Sequence, residues 1–599
     1  MCGIAGILTV NQYRDSLETL IQRMQNSVEH RGPDDAGIYI SKDQQATFAH
    51  TRLAIIDLSS AGHQPMSSSD GRYHITFNGE IYNFQELRQD LISQEEQFYS
   101  QTDTEVILKL YQKFGTDCVR YLRGMFAFAI WDEYEKTCFL ARDPLGIKPL
   151  YYWKSGSTLL FASELRAILA SGLPEIYLSQ KGLYGYLTSG SVPEPNTLIE
   201  GIHCLEAGHW INWQAGNLRK SQYWQIQFAT EPMEAEEAVV KVRSALIDSV
   251  KHHLVSDVPV GVFLSGGIDS TAIVALSHQI QSSSLNTFSI AFEEQEWNEG
   301  DLAQKVAAFF GMQHTEYKIT AKIGKSLLPQ FLDAIDQPSI DGFNTFCVSQ
   351  IARKSGMKVV LSGLGGDEFF GGYTSFQKIP QMMRLGKQLQ PLKPLVAGIG
   401  MGMERWGTST QVRRLGDFLQ QVPNPAIAYG SFRGIFSHWE ACQILKSYFP
   451  DAEVPSRQRP ILDLDTKSQS CLADEVSKLE ISRYMRNQLL RDSDVMSMSW
   501  GLELRVPLVD CKLLETIATI PAQLRLAPGK QLLIQAVEEL PEWITNRPKR
   551  GFFFPYEQWM RSEWQDYFQG IECPGNIPLQ PWYRRWSLAI LQHWYNKIS

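Results

Sequence analysis

The second residue of the chain is a cysteine, in Cys2-Gly3-Ile4-Ala5-Gly6. With Met1 removed, which a small second residue permits, Cys2 carries a thiol and a free α-amino group together. The amine, with an intrinsic pKa of about 7.7–8.0, can take the thiol proton at neutral pH, so nucleophilic catalysis needs no histidine. A cysteine in an apolar segment is otherwise a small buried hydrophobe, and only its company argues for chemistry. That company is Arg52 in His50-Thr-Arg-Leu-Ala-Ile-Ile-Asp57, Asn78-Gly79-Glu80 in a turn, and Asp103 in Thr102-Asp-Thr-Glu-Val106. Hydrolysis of an amino-acid amide asks for a cation on the α-carboxylate, acids on the α-ammonium and donors for the tetrahedral oxyanion. Arginine is the matching fork for a carboxylate. An Asn amide beside a Gly N–H makes a workable oxyanion hole.

A second set of residues suits a nucleotide. Leu264-Ser265-Gly266-Gly267-Ile268-Asp269-Ser270 lies between a short apolar run and a helical stretch. Its glycines allow close backbone approach to phosphates, its hydroxyls donate, and the following helix supplies N–H groups. Ser362-Gly363-Leu364-Gly365-Gly366-Asp367-Glu368-Phe-Phe-Gly-Gly372 also follows an apolar run. Two glycine loops at the carboxyl ends of parallel strands stand where open α/β sheets bind ligands. Asp269 and Asp367 are then candidate oxygen ligands for Mg²⁺, which bridges one or two carboxylates to substrate phosphates. The Walker pattern GxxxxGK[ST] is absent, so no P-loop is expected.

The elements that must position these residues fall into two rhythms. Up to about residue 215, short strands and turns dominate, with two helical stretches and punctuation at RGPDD, SSSDGR, FNGEIYN and RDPLGIKP. Met125–Trp131 is too short for a long helix and too apolar for a surface strand, which predicts a strand buried between layers. Residues 216–234 are polar and aperiodic and read as a linker. From 235 onward helical spacing (235–253) alternates with the apolar runs 258–264, 287–292 and 357–361, which predicts a parallel sheet. Residues 376–505 read as helical, with no strand signal.

Composition narrows the class. The chain has 599 residues, 44% hydrophobic and 20% charged, with a formal net charge of −9. That balance fits large cores and argues against a non-specific nucleic-acid or anionic-membrane binder, which needs a basic excess. Apolar runs stop short of a membrane span, and MCGIAGILTV has no basic n-region, so a cytoplasmic protein is expected. Nine cysteines with no CxxC pair fit neither a disulfide framework nor a zinc site. All but Cys2 read as small buried hydrophobes.

CGIAG, HRGPDD, TRLAIIDLS, FNGEIYN and TDTEVIL, in that order, resemble the class II glutamine amidotransferase domain, an N-terminal-nucleophile hydrolase of layered antiparallel sheets. With both glycine loops, similar to those of ATP pyrophosphatases, and with Trp500-Gly-Leu-Glu-Leu-Arg-Val-Pro-Leu-Val-Asp510, the chain resembles glutamine-hydrolysing asparagine synthetases over most of its length. The resemblance implies a glutaminase domain at 1–215, a linker at 216–234 and an α/β ATP-binding domain with a helical C-terminal part at 235–599. It implies Cys2 as nucleophile, Asn78 and Gly79 as oxyanion donors, Arg52 as carboxylate clamp, and Glu80 and Asp103 as α-amine partners. Leu264, Ile290, Ser362 and Gly363 match ATP contacts, and Lys530 matches a pyrophosphate-side lysine; read alone, Lys530 is a solvated helix face. Arg547, Lys549 and Arg550 stay unassigned, and His252 and His253 read as structural.

The implied reaction joins glutamine, MgATP and a carboxylate acceptor, releases AMP and pyrophosphate, and allows a homodimer. Leu364, Val495 and Ile534 replace charged residues usual in the family near the inferred acceptor pocket. They leave open aspartate, a uronic acid or another specialised carboxylate, beside a non-catalytic storage or regulatory relative.

Overall fold

The computed structural model describes residues 2–11, 13, 15–228, 231–281, 285–294, 299–451, 471–547 and 554–598. Lys549 and Arg550 lie outside the described residues.

The first half holds two six-stranded antiparallel sheets. One runs, in spatial order, Ile202–Cys204, Tyr151–Ser155, Thr158–Ala162, Cys2–Leu8, Ala46–Arg52 and Asp35–Ile40. The other runs Asn217–Gln222, His209–Gln214, Thr137–Arg142, Gly124–Asp132, Tyr73–Ile81 and Met66–Ser67. Their facing sides share one core that includes Ile4, Leu8, Phe48, Ala127, Trp131 and Leu140. The strand Gly124–Asp132 shows why the apolar run there has no alternation. Phe126, Phe128 and Ile130 face the helices behind the sheet, while Ala127, Ala129 and Trp131 face the other sheet, so both sides are dry. Five α-helices lie in this half where two were expected; short ones such as Leu165–Ala170 leave little periodic signal.

The stretch read as a linker from 216 begins instead with the edge strand Asn217–Gln222, a hairpin partner of His209–Gln214. Its sequence NLRKSQ is mostly exposed and polar, which hid it from an apolar-pattern reading. Ala215 and Gly216 both take positive φ at the turn.

The second half is built on a five-stranded parallel sheet in the order Gln313–Ile319, Asn286–Phe292, Val260–Phe263, Val359–Leu361, Glu503–Arg505. The three apolar runs are its inner strands. The two outer strands carry charged side chains, and so carried no strand signal. Glu503–Arg505 is nevertheless buried, because Arg505 Nε donates to Glu503 Oε1 at 2.6 Å. The helix Ala235–His253 spans the residues expected. From Ser375 to Tyr448 the chain is helical, and after residue 471 it passes from an α-helix into a π-helix, Glu480–Leu490. No described helix is long and apolar enough to cross a membrane.

Candidate active site

Strand pairing brings the first set of residues together. Cys2 opens its strand opposite Arg52 in the antiparallel register, and Asn78, Gly79 and Glu80, read from the sequence as a turn, lie instead within the other sheet's strand Tyr73–Ile81, paired with Met125–Ala127. Cys2, Arg52, Gly79, Glu80 and Asp103 line one small cavity of about 30 Å³. Asn78 stands behind it. Its Oδ1 accepts from the Cys2 backbone N–H at 3.0 Å, and its Nδ2 is buried with no hydrogen-bond partner among the described residues. A buried unpartnered amide donor costs about 1–3 kcal/mol and is rare in a native fold.

Arg52 is held by the turn that follows it: Nη1 donates to the Ser59 carbonyl at 3.0 Å and Nη2 to the Asp57 carbonyl at 2.5 Å. Gly62 leaves room for this, since a Cβ there would lie 1.9 Å from Arg52 Nη2. Gly79 has φ 157°, and a Cβ would lie 2.1 Å from the Met125 carbonyl oxygen. Asp103 opens a helix capped by Thr102, and its Oδ2 accepts from the Ile81 N–H at 2.9 Å. Burial pushes Asp103 up to about 6 and the Cys2 thiol above its usual range. Burial, with the charge of Glu503, pushes Glu80 well above the usual carboxylate range; its Oε2 lies 3.5 Å from Arg505 Nη2.

The second set converges on a cavity of about 530 Å³ at the carboxyl ends of the parallel strands. Leu264, Ser265, Gly266, Gly267, Asp269, Ser270, Ile290, Ser362, Gly363, Asp367 and Lys530 all line it. Lys530 is not a solvated helix residue. It is 4% exposed, takes φ 61°, and places Nζ 2.5 Å from both Asp269 Oδ2 and Asp367 Oδ1. Burial works against its charge, and the two carboxylates outweigh it to raise its pKa. The glycines are required by space: a Cβ on Gly366 would lie 2.2 Å from Asp269 Oδ1, and one on Gly363 2.6 Å from the Ser270 nitrogen. Leu364 also lines this cavity. Val495 and Ile534 do not; Val495 is buried in a core and Ile534 packs against another, so only one of the three departures faces the glycine loops.

The two cavities belong to halves joined by buried charge. Arg31 Nε donates to the Cys2 carbonyl at 3.0 Å, Nη1 to Glu164 Oε1 at 2.8 Å and Nη2 to Asp494 Oδ2 at 2.8 Å. Lys148 Nζ reaches the other oxygen of Asp494 at 3.1 Å. Arg123 makes a two-pronged contact with Asp510 at 2.9 Å. Sequence reasoning missed all of these, because a buried ion pair leaves no pattern along the chain. It also missed Asp341 and Asp492 on the wall of the larger cavity, where burial pushes Asp492 up to about 7.

His253 is buried, hydrogen-bonded to Ser249 and packed at a tilt against Tyr82, a structural role. Arg547 lines the larger cavity. All nine cysteines are free. Cys471 is exposed and Cys573 partly so, against the expectation of burial, because they lie at a helix start and in a loop.

Family models match the chain twice: a glutamine amidotransferase domain over residues 1–224 and asparagine synthase over residues 241–589. Glutamine-hydrolyzing asparagine synthetase 1 of Bacillus subtilis (strain 168) is 34% identical over 591 residues, covering 95% of this chain and 90% of its own. Glutamine-hydrolyzing asparagine synthetase 3 of the same organism is 31% identical, with 92% and 87% covered. Amidase chry2 of Gibberella zeae is 27% identical, with 93% and 90% covered.

Proposed function

The chain belongs to the asparagine synthase family, and from that premise we propose that it transfers the amide nitrogen of glutamine to a carboxylate through an acyl-adenylate, releasing AMP and pyrophosphate. The observation that carries the reading is the pairing, in one chain, of a Cys2 cavity backed by the unpartnered Asn78 Nδ2 with a nucleotide cavity holding Lys530 between two aspartates.

In the first cavity Arg52 would hold the glutamine carboxylate and Asp103, with Glu80, the α-ammonium. The α-amine exposed on loss of Met1 takes the Cys2 proton. The sulfur attacks the amide carbon, and the oxyanion is held by Asn78 Nδ2 and the Gly79 N–H. Ammonia leaves, and water cleaves the thioester to glutamate and the free thiol.

In the second cavity a carboxylate oxygen attacks the α-phosphorus of ATP and pyrophosphate departs. Ammonia then attacks the acyl carbon, AMP leaves and one proton is lost. Ser265, Ser270 and the glycine loops would hold the phosphates, with Lys530 on the pyrophosphate side. Asp269 Oδ2 and Asp367 Oδ1 converge on the Lys530 ammonium, and the same pair of carboxylates would hold Mg²⁺, an ion that needs one or two carboxylates and takes its other ligands from phosphate and water. Bound with the nucleotide, Mg²⁺ would neutralise phosphate charge.

Aspartate is the first acceptor to test, and Leu364 on the cavity wall favours another carboxylate, since it can neither take a proton nor hold an ammonium ion. The test is a panel of carboxylates incubated with ATP and ¹⁵N-amide glutamine, read for AMP and for a labelled product by mass. Formation of ADP and phosphate would overturn the reading.

A further inference from the structure

A second cavity of about 530 Å³ adjoins the nucleotide cavity, and Tyr373 and Thr374 line both. The helical stretch from Ser375, whose purpose the sequence leaves open, supplies one wall through Arg414 and Arg433. The π-helix supplies another through Arg483, Tyr484 and Gln488, and the Gln488 side chain bonds Asp341 on the nucleotide side. π-Helices are rare and occur mostly at functional sites.

The charge facing this space is lopsided. Arg433 is paired with Glu480 at 2.9 Å and stacks on Tyr373 and Tyr484. Arg414 is 8% exposed; its guanidinium bonds the Tyr583 side chain, while its buried Nε has no hydrogen-bond partner among the described residues. Among the described residues neither Arg414 nor Arg483 forms an ion pair, and burial holds both below the usual arginine range. The one described acid on the wall, Asp417, accepts from the Gln421 side chain and the His438 N–H. Arg414 is buried and Arg483 half-buried, and guanidinium groups so placed without an ion-pair partner are costly unless an anion arrives to meet them. The volume falls in the range of about 300–1,000 Å³ that takes molecules of drug size, far beyond an α-amino acid.

We propose that this cavity receives the body of the acceptor, which is a carboxylic acid larger than aspartate, with a second anionic group at its far end held by Arg414 and Arg483 and a ring-shaped middle lying against Tyr373 and Tyr484. The inference rests on the acyl-adenylate reading, which places the reacting carboxylate in the nucleotide cavity and the remainder of the molecule beyond Tyr373.

Isothermal titration of the full-length protein, saturated with a non-hydrolysable MgATP analogue, tests it with three probes: glucuronic acid 1-phosphate, glucuronic acid and L-aspartate. The phosphate ester is expected to bind at least tenfold more tightly than either other probe. Arg414→Gln and Arg483→Gln should each remove most of that gain, while glutaminase kcat/KM and the affinity for the ATP analogue stay within twofold. Equal or tighter binding of aspartate, no gain from the distal phosphate, or a uniform loss for all three probes would overturn it. Failure of the acyl-adenylate reading shows separately, as ADP formation or as no binding of the ATP analogue.

Discussion

Asn78 divides one amide between two tasks. Its oxygen accepts the Cys2 N–H, which fixes the direction in which the unpartnered Nδ2 points. Asn78→Ala is therefore expected to lower glutaminase kcat by about 10²–10³, the usual loss for one oxyanion donor, with a far smaller effect on the KM for glutamine. Steady-state kinetics on purified variants would check this. Cys2→Ala should abolish glutamine hydrolysis and leave amidation from free ammonia intact, and surviving glutaminase activity would exclude Cys2 as nucleophile.

Asp103 carries a pH signature. Burial raises it to about 6, so it loses the charge an α-ammonium needs as pH falls through that value. The kcat/KM for glutamine should then show an acid limb near pH 6, tenfold per unit, that Asp103→Asn removes. The same shift makes the folded state hold this proton more tightly than the unfolded chain. Its contribution to stability is thus fully present at pH values below the ordinary aspartate range and is lost as pH rises through about 6.

At the scale of elements, the glycine loops and the inner strands were legible because each writes a local signal: an apolar run, then glycines, then helical spacing. The edge strand Asn217–Gln222 and the buried strand Glu503–Arg505 were not. The first is polar because it is exposed, and the second is charged because Glu503 and Arg505 pair with each other and Arg505 also donates to the His253 and Val255 carbonyls. Lys530 fails for a related reason: its partners lie 261 and 163 positions away along the chain. The loop geometry gives a prediction of its own. Gly366→Ala would push a methyl group against Asp269 Oδ1, so AMP formation should fall at least tenfold while glutaminase activity is retained. Equal loss of both activities would mean general unfolding instead.

For the molecule as a whole, Arg31 is one of the points where the halves meet, touching the Cys2 carbonyl on one side and Asp494 on the other. Arg31→Leu removes one partner of a buried pair and is expected to cost about 3–5 kcal/mol in denaturant unfolding. It should also loosen the seam, so that glutamate formed exceeds AMP formed under saturating substrates. A ratio held at one would show that the two reactions are coupled without this contact.

The π-helix Glu480–Leu490 faces three ways: Arg486 donates to the Leu145 carbonyl of the first half, Leu489 lines the nucleotide cavity, and Arg483 and Tyr484 line the second cavity. Its bonds run from i to i+5 rather than i to i+4, so losing or gaining one residue would turn the faces out of phase together. In the history of such a chain, substitutions along this segment can retune one chamber at a time. Insertions and deletions cannot, and the segment should keep its length in descendants whose acceptors have diverged.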